Sequence, residues 1–228
     1  MTTHAVLIGL GIFLVLAAAF ALLRGKGEVL FNQVRAKPNL ADPNNWVIGP
    51  LYNDQPNPSL NMPLHPAPGF VIDMPRPDCQ PHYVTANYGA LTGKTRITMT
   101  GRIEGGPLFA KDGTSQASIC LYFQRQFDDW RAIQSDPPQL SDTETFRWYA
   151  TGNAVLPLVE GPFTLTAAFT DKWTAVQYSD SLSKPEAFKA AIDAAGEVGF
   201  VLGGGDGWGH GIMAAKPARI IVTSFEIN

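Results

Sequence analysis

From Lys94 onward apolar and polar side chains alternate at a period of two, which restricts that part of the chain to strands lying on a core. In KTRITMTGRI, Ile97, Met99, Gly101 and Ile103 share one side and Arg96, Thr98, Thr100 and Arg102 the other. Successive strand side chains point to opposite faces, so this is the pattern of a half-buried strand. ASICLYFQRQF repeats it, with Ala117, Ile119, Leu121 and Phe123 opposed by Ser118, Cys120, Tyr122 and Gln124. PFTLTAAFT sets Phe163, Leu165, Ala167 and Phe169 against Thr164, Thr166, Ala168 and Thr170, and FRWYA, EVGFVLGGG and ARIIVTSFEI add further short strands. In FRWYA, Trp148 shares parity with Phe146 and is expected inward, leaving Arg147 and Tyr149 on the opposite face, where Arg147 can meet a carboxylate.

One helix interrupts the strands. Ser183 is placed to cap it and Glu186 to close a capping box, while Phe188, Ala191, Ile192 and Ala195 form an apolar stripe that stops at Gly196. The pattern predicts a helix from about Lys184 to Ala195. Many antiparallel strands with one short helix make an all-β fold, an antiparallel β-sandwich of the jelly-roll kind over residues 82–228.

Ala5 to Leu23, AVLIGLGIFLVLAAAFALL, is apolar and uncharged, and at roughly 1.5 Å per residue it is long enough to cross the hydrocarbon of a bilayer. The expectation is a single N-terminal transmembrane helix within residues 1–24. A cleaved signal peptide is the rival reading, through Ala19-Phe20-Ala21, but the leading MTTH carries no Lys or Arg. Arg24, Lys26, Arg35 and Lys37 follow the run, so the positive-inside bias puts the large domain in the cytoplasm, with the outer side as the alternative. Residues 25–81 are dense in Pro and Asn and read as an extended arm. Trp46, Val47, Ile48, Leu51, Phe70, Val71 and Ile72 are too apolar for a free linker, so part of the arm is expected to pack on the domain or on a partner.

A net charge of -3, from 17 basic and 20 acidic residues, excludes a nucleic-acid partner of the ordinary electrostatic kind. Nothing in the placing of Cys79 and Cys120 requires a disulfide, and two free thiols are expected, with a bond between them as the alternative. Asp128, Asp129, Asp142, Glu144, Glu160 and Asp171 show no arrangement for acid–base hydrolysis, and no nucleophile elbow occurs. His4, His65, His82 and His210 lack ligand spacing, so neither metal nor cofactor is expected.

The most unusual string is GGGDGWGHG, residues 203 to 211, in which Asp206, Trp208 and His210 gather a carboxylate, an indole and an imidazole on a glycine-rich loop that a ligand can approach closely. A plain hairpin loop with Trp208 packed on the sandwich is the competing reading. The candidate ligand-binding residues are therefore Asp206, Trp208, His210, Tyr149 and Arg147. Sugar stacking would draw on Trp130, Trp148, Tyr149, Trp173 and Trp208, although core packing competes for most of them.

The stretch from Phe163, with Trp173, the helix holding Phe188, VGFVLGGG, GHG and the closing ARIIVTSFEI, resembles jelly rolls of the galactose-binding-like superfamily. That group includes non-catalytic carbohydrate-binding modules and the domain of complex I intermediate-associated proteins. The resemblance implies a scaffold whose relatives usually bind things, and it carries no ligand residue over. The expected function is a non-catalytic membrane-anchored accessory protein, docking on a larger membrane protein assembly through helix, arm and sandwich. A membrane-anchored carbohydrate-binding module of the cell envelope is the alternative, and an enzyme of unknown reaction comes third.

Overall fold

The computed structural model describes residues 37–49, 69–76, 80–126, 128, 145–152, 154–176, 179–204 and 210–228. Pro38–Asn228 forms one compact unit. In chain order its strands are β1 (Trp46–Ile48), β2 (Phe70–Met74), β3 (Tyr83–Asn87), β4 (Arg96–Gly105), β5 (Leu108–Ala110), β6 (Ser118–Arg125) and β7 (Arg147–Tyr149). There follow β8 (Val155–Pro157), β9 (Gly161–Ala168), β10 (Thr174–Ala175), helix α1 (Pro185–Asp193), β11 (Ala195–Gly203), β12 (Ile212–Ala214) and β13 (Ala218–Ile227).

All pairings described are antiparallel. The larger sheet has the order β1-β3-β11-β6-β7-β10, with β8 also paired to β6, and the smaller has the order β2-β13-β4-β9. A two-stranded ribbon joins β12 to β5. The two main sheets face each other across one core, making a β-sandwich. Trp46 of the larger sheet lies 5.0 Å from Phe70 and 4.9 Å from Phe225 of the smaller, ring centroid to ring centroid, and Phe70 stacks on Phe200 at 6.2 Å. Thus two stretches of the proline-rich arm, β1 and β2, are integral strands, and the apolar residues noted there are core.

The alternation of β4 and β9 is realised as expected. Ile97, Met99, Gly101 and Ile103 are buried, as are Phe163, Leu165 and Ala167, with Arg96, Arg102, Thr164 and Thr166 exposed. Gly101 sits where any Cβ would overlap the Ile221 carbonyl oxygen and the Phe163 ring, which is why an otherwise apolar row carries a glycine. Strand β9 is an edge of the smaller sheet whose two ends are blunted. Pro162 has no N–H, and Ala168 donates its N–H to Asp171 Oδ2 at 2.8 Å and accepts from Trp173 Nε1 at 2.8 Å.

Two expectations need correction. The helix spans Pro185–Asp193, and Lys184 stands at its N-cap with no side-chain cap bond. Ser183 does not cap it: its hydroxyl donates to the Asp180 carbonyl at 2.9 Å, while Asp180 Oδ1 accepts the N–H groups of Leu182 (3.0 Å) and Ser183 (2.8 Å). A tight turn upstream has taken the serine that the capping box would have used. At the other end Ala195 and Gly196 belong to β11, because the Gly196 carbonyl accepts from both Tyr88 and Gly89.

The second correction concerns β6. Its parity is as read, but Ser118, Cys120, Tyr122 and Gln124 are as buried as Ile119, Leu121 and Phe123. Both faces of the larger sheet are out of water there, and the outward face becomes the place to look for function.

Among the described residues no helix is long and apolar enough to cross a membrane. The segment Ala5 to Leu23 lies outside the described residues.

Candidate functional site

Strand register fixes which side chains share the outward face of the larger sheet. Residue pairing across β3, β11, β6 and β7 sets Asn87, Glu197, Gln124 and Arg147 in one row. Two residues along each strand, the next row is Thr85, Gly199, Tyr122 and Tyr149, and Tyr83, Val201 and Cys120 form a third. Burial grades along the first row: Asn87 is exposed, Glu197 half-buried, and Gln124 and Arg147 buried.

The tyrosines converge over β11. Strands β3 and β6 both flank β11, so their backbones are roughly 10 Å apart, yet the Tyr83 and Tyr122 rings approach to 5.1 Å. Tyr83 reaches further still, its hydroxyl lying 2.6 Å from that of Tyr149 on β7. Between them Gly199 presents no side chain, and a Cβ there would overlap the Val84 carbonyl oxygen.

Arg147 Nε lies 2.9 Å from Asp128 Oδ2, with side chains only 10% and 2% exposed. The carboxylate partner expected for Arg147 is therefore Asp128. Burial works against the Arg147 charge, but Tyr149, Asp128 and Tyr83 outweigh it and hold its pKa above the ordinary value. Glu197 accepts from the Thr85 hydroxyl at 3.0 Å. Its carboxyl is pushed above the ordinary value first by burial and further by Asp128, with Thr85 opposing. Burial raises the Tyr122 and Tyr149 hydroxyls well above the usual phenol value, so both stay protonated.

On this face Gln124 Oε1 is buried without a hydrogen-bond partner, while the Thr85 side chain serves the Tyr122 hydroxyl. Nearly all buried polar atoms in folded proteins are paired, so such an atom needs an explanation.

Of the sequence candidates, Arg147 and Tyr149 are brought together here. His210 is exposed, just ahead of β12, and Asp206 and Trp208 lie outside the described residues. Trp148 and Trp173 are fully buried in the core. The alternation missed Tyr83, Tyr122, Gln124 and Glu197 as site residues. One signal was present: the polar side of β6 carries no charge, unlike Arg96 and Arg102 on β4.

Cys120 is a free, buried thiol whose pKa burial pushes up to about 12, and Cys79 lies outside the described residues. No group of three or more His, Cys, Asp or Glu side chains suited to a metal ion occurs among the described residues. Comparison with models of known protein families and with curated protein sequences finds no match.

Proposed function

We propose that this is a non-catalytic accessory protein, held at a membrane by Ala5 to Leu23 and docked on a larger membrane protein assembly. The observation that carries the reading is the uncharged apolar run Ala5 to Leu23, which at roughly 1.5 Å per residue is long enough to cross the hydrocarbon of a bilayer and so to tether the chain to a membrane. The residues that look chemical also support binding over reaction. Arg147 is paired with Asp128 and Tyr83 with Tyr149, and the Cys120 thiol is far from the thiolate form that attacks.

The jelly-roll form of the sandwich belongs to the same proposal. It is supported by the adjacency of β4 with β13 and of β3 with β11, pairs far apart in the chain that long crossovers rather than hairpins must join. The positive residues after the apolar run favour a cytoplasmic sandwich. Display outside the membrane as a carbohydrate-binding module would require stacking planes, and Trp148, Tyr149 and Trp173 are buried.

The full-length chain, solubilised from its native membrane in mild detergent, should co-purify with partners in fixed stoichiometry. A partnerless, monodisperse monomer at native abundance would overturn the docking reading, and a C-terminal reporter active only outside the cytoplasm would overturn the orientation.

A further inference from the structure

We propose that Glu197 is held protonated on the outward face of the larger sheet, donating its carboxyl proton to Gln124 Oε1, and that ionising it unlatches Asp128 and opens that face, a pH-sensitive device built into the sandwich. This goes beyond membrane docking and does not depend on it.

Three observations of geometry converge. First, Glu197 on β11 and Gln124 on β6 are directly opposed in the strand register, which sets their side chains beside each other on one face with Cβ atoms roughly 5 Å apart. Second, Gln124 is 2% exposed and its Oε1 has no hydrogen-bond partner. An amide oxygen only accepts, so what it lacks is a donor. Third, Glu197 Oε2 already accepts from the Thr85 hydroxyl at 3.0 Å, which leaves Oε1 as the oxygen to carry a proton. The protonated acid is the one form of a glutamate that donates. A single proton thus gives Gln124 its missing donor and removes a charge from a half-buried position. Burial, with Asp128 adding to it, raises the Glu197 carboxyl in the same direction.

The titratable and charged groups around this carboxyl, among the described residues, are Asp128 on the segment after β6, Arg147 and Tyr149 on β7, Tyr122 on β6 and Tyr83 on β3. Burial keeps Tyr122 and Tyr149 neutral. Arg147 is the cation of the set and is committed to Asp128, its Nε 2.9 Å from Oδ2. An ionised Glu197 would therefore set an acceptor against the Gln124 acceptor and a second anion beside Asp128. Relief comes when Arg147 divides itself between two carboxylates, and that loosens the bond tying Asp128 and the segment after β6 to β7. The proton has a route, because the row grades from exposed Asn87 through half-buried Glu197 to buried Gln124 and Arg147.

The test titrates the full-length chain in detergent, carrying carboxyl-labelled glutamate, and follows it by NMR. The Glu197 signal is identified by its loss in Glu197→Gln. In the parent it should titrate above the ordinary value near 4.5. In Gln124→Met its proton affinity should fall about tenfold, the loss of one hydrogen bond to the neutral form. Burial acting alone gives the opposite sign, since methionine is less polar than glutamine and disfavours the charged form further. Hydrogen exchange, corrected for its intrinsic dependence on pH, reads the opening. Protection over residues 118–126 and 147–152 should fall in the parent as Glu197 ionises. It should stay level across the same range in Glu197→Gln, whose amide donates to Gln124 Oε1 and accepts from Thr85 as the protonated acid does. The proposal is overturned if Glu197 titrates at or below its ordinary value, if Gln124→Met leaves its proton affinity unchanged or raises it, or if parent and Glu197→Gln lose protection in parallel. Should Gln124→Met not fold, the exchange comparison decides by itself. None of these results depends on whether a membrane partner co-purifies.

Discussion

Replacing Arg147 with Met removes a guanidinium from beside a carboxylate that has almost no access to water. The two side chains are 10% and 2% exposed and their charged atoms stand 2.9 Å apart, so Asp128 would be left ionised in a site that cannot hydrate it. Breaking a buried pair in this one-sided way costs about 3 to 5 kcal/mol, because the remaining charge loses its compensation. Arg102 and Glu104 provide the control: they are 3.2 Å apart but 58% and 37% exposed, and such surface pairs contribute about 0 to 1 kcal/mol. Urea unfolding of residues 38–228, followed by tryptophan fluorescence, should show a midpoint lowered by about 2 M for Arg147→Met if m is about 2 kcal/mol per M. Arg102→Met should barely move it. Adding Asp128→Leu to Arg147→Met should recover most of the loss, since removing both charges removes the uncompensated one. If Arg147→Met costs no more than Arg102→Met, the pair is hydrated and the description of this face as closed and charged is wrong.

Glu197 makes a pH prediction of definite sign. Its folded pKa lies above its unfolded value near 4.5, so its contribution to stability is present below that pH and is lost as pH rises through the folded value. Glu197→Gln should therefore be more stable than the parent at pH 7 and equal to it near pH 4, as read by urea midpoints across that range. Because Trp46 and Phe70 are buried core residues on β1 and β2, a chain starting at residue 82 should fail to give a cooperative thermal transition, whereas one starting at Pro38 should show it. Trp46→Ala in the longer chain should cost about 3 to 5 kcal/mol. Cys120, buried with its thiol pKa near 12, should resist a thiol reagent in the folded protein and react at once in urea.

How far these features were legible in the sequence depends on what the alternation could encode. Parity carried the strands: Ile97, Met99 and Ile103 point inward as their spacing requires, and Arg147 and Tyr149 lie opposite Trp148. Parity tells two faces apart but not whether the second face is wet, which is why the burial of Tyr122 and Gln124 had to come from three-dimensional structure. The same limit hid the site, because Tyr83, Glu197, Tyr122 and Arg147 come from four strands whose order is set by pairings remote in the chain. The start of the helix was misplaced for a local reason, the competing Asp180–Ser183 turn, and its end because Ala195 and Gly196 enter β11. Trp46 and Phe70 were legible as packed residues but not as strands, since their segments are too short to show a period.

The central claim, an accessory protein held against a membrane assembly, is tested most directly by comparing the full-length chain with one beginning at Gly25, each recovered under native conditions and analysed by quantitative mass spectrometry. The full-length chain should sediment with membranes, resist alkaline extraction and bring down partners in constant ratio, while the shortened chain should fold, appear in the soluble fraction and lose most of those partners. Recovery of the full-length chain as a soluble monomer without partners would contradict the account.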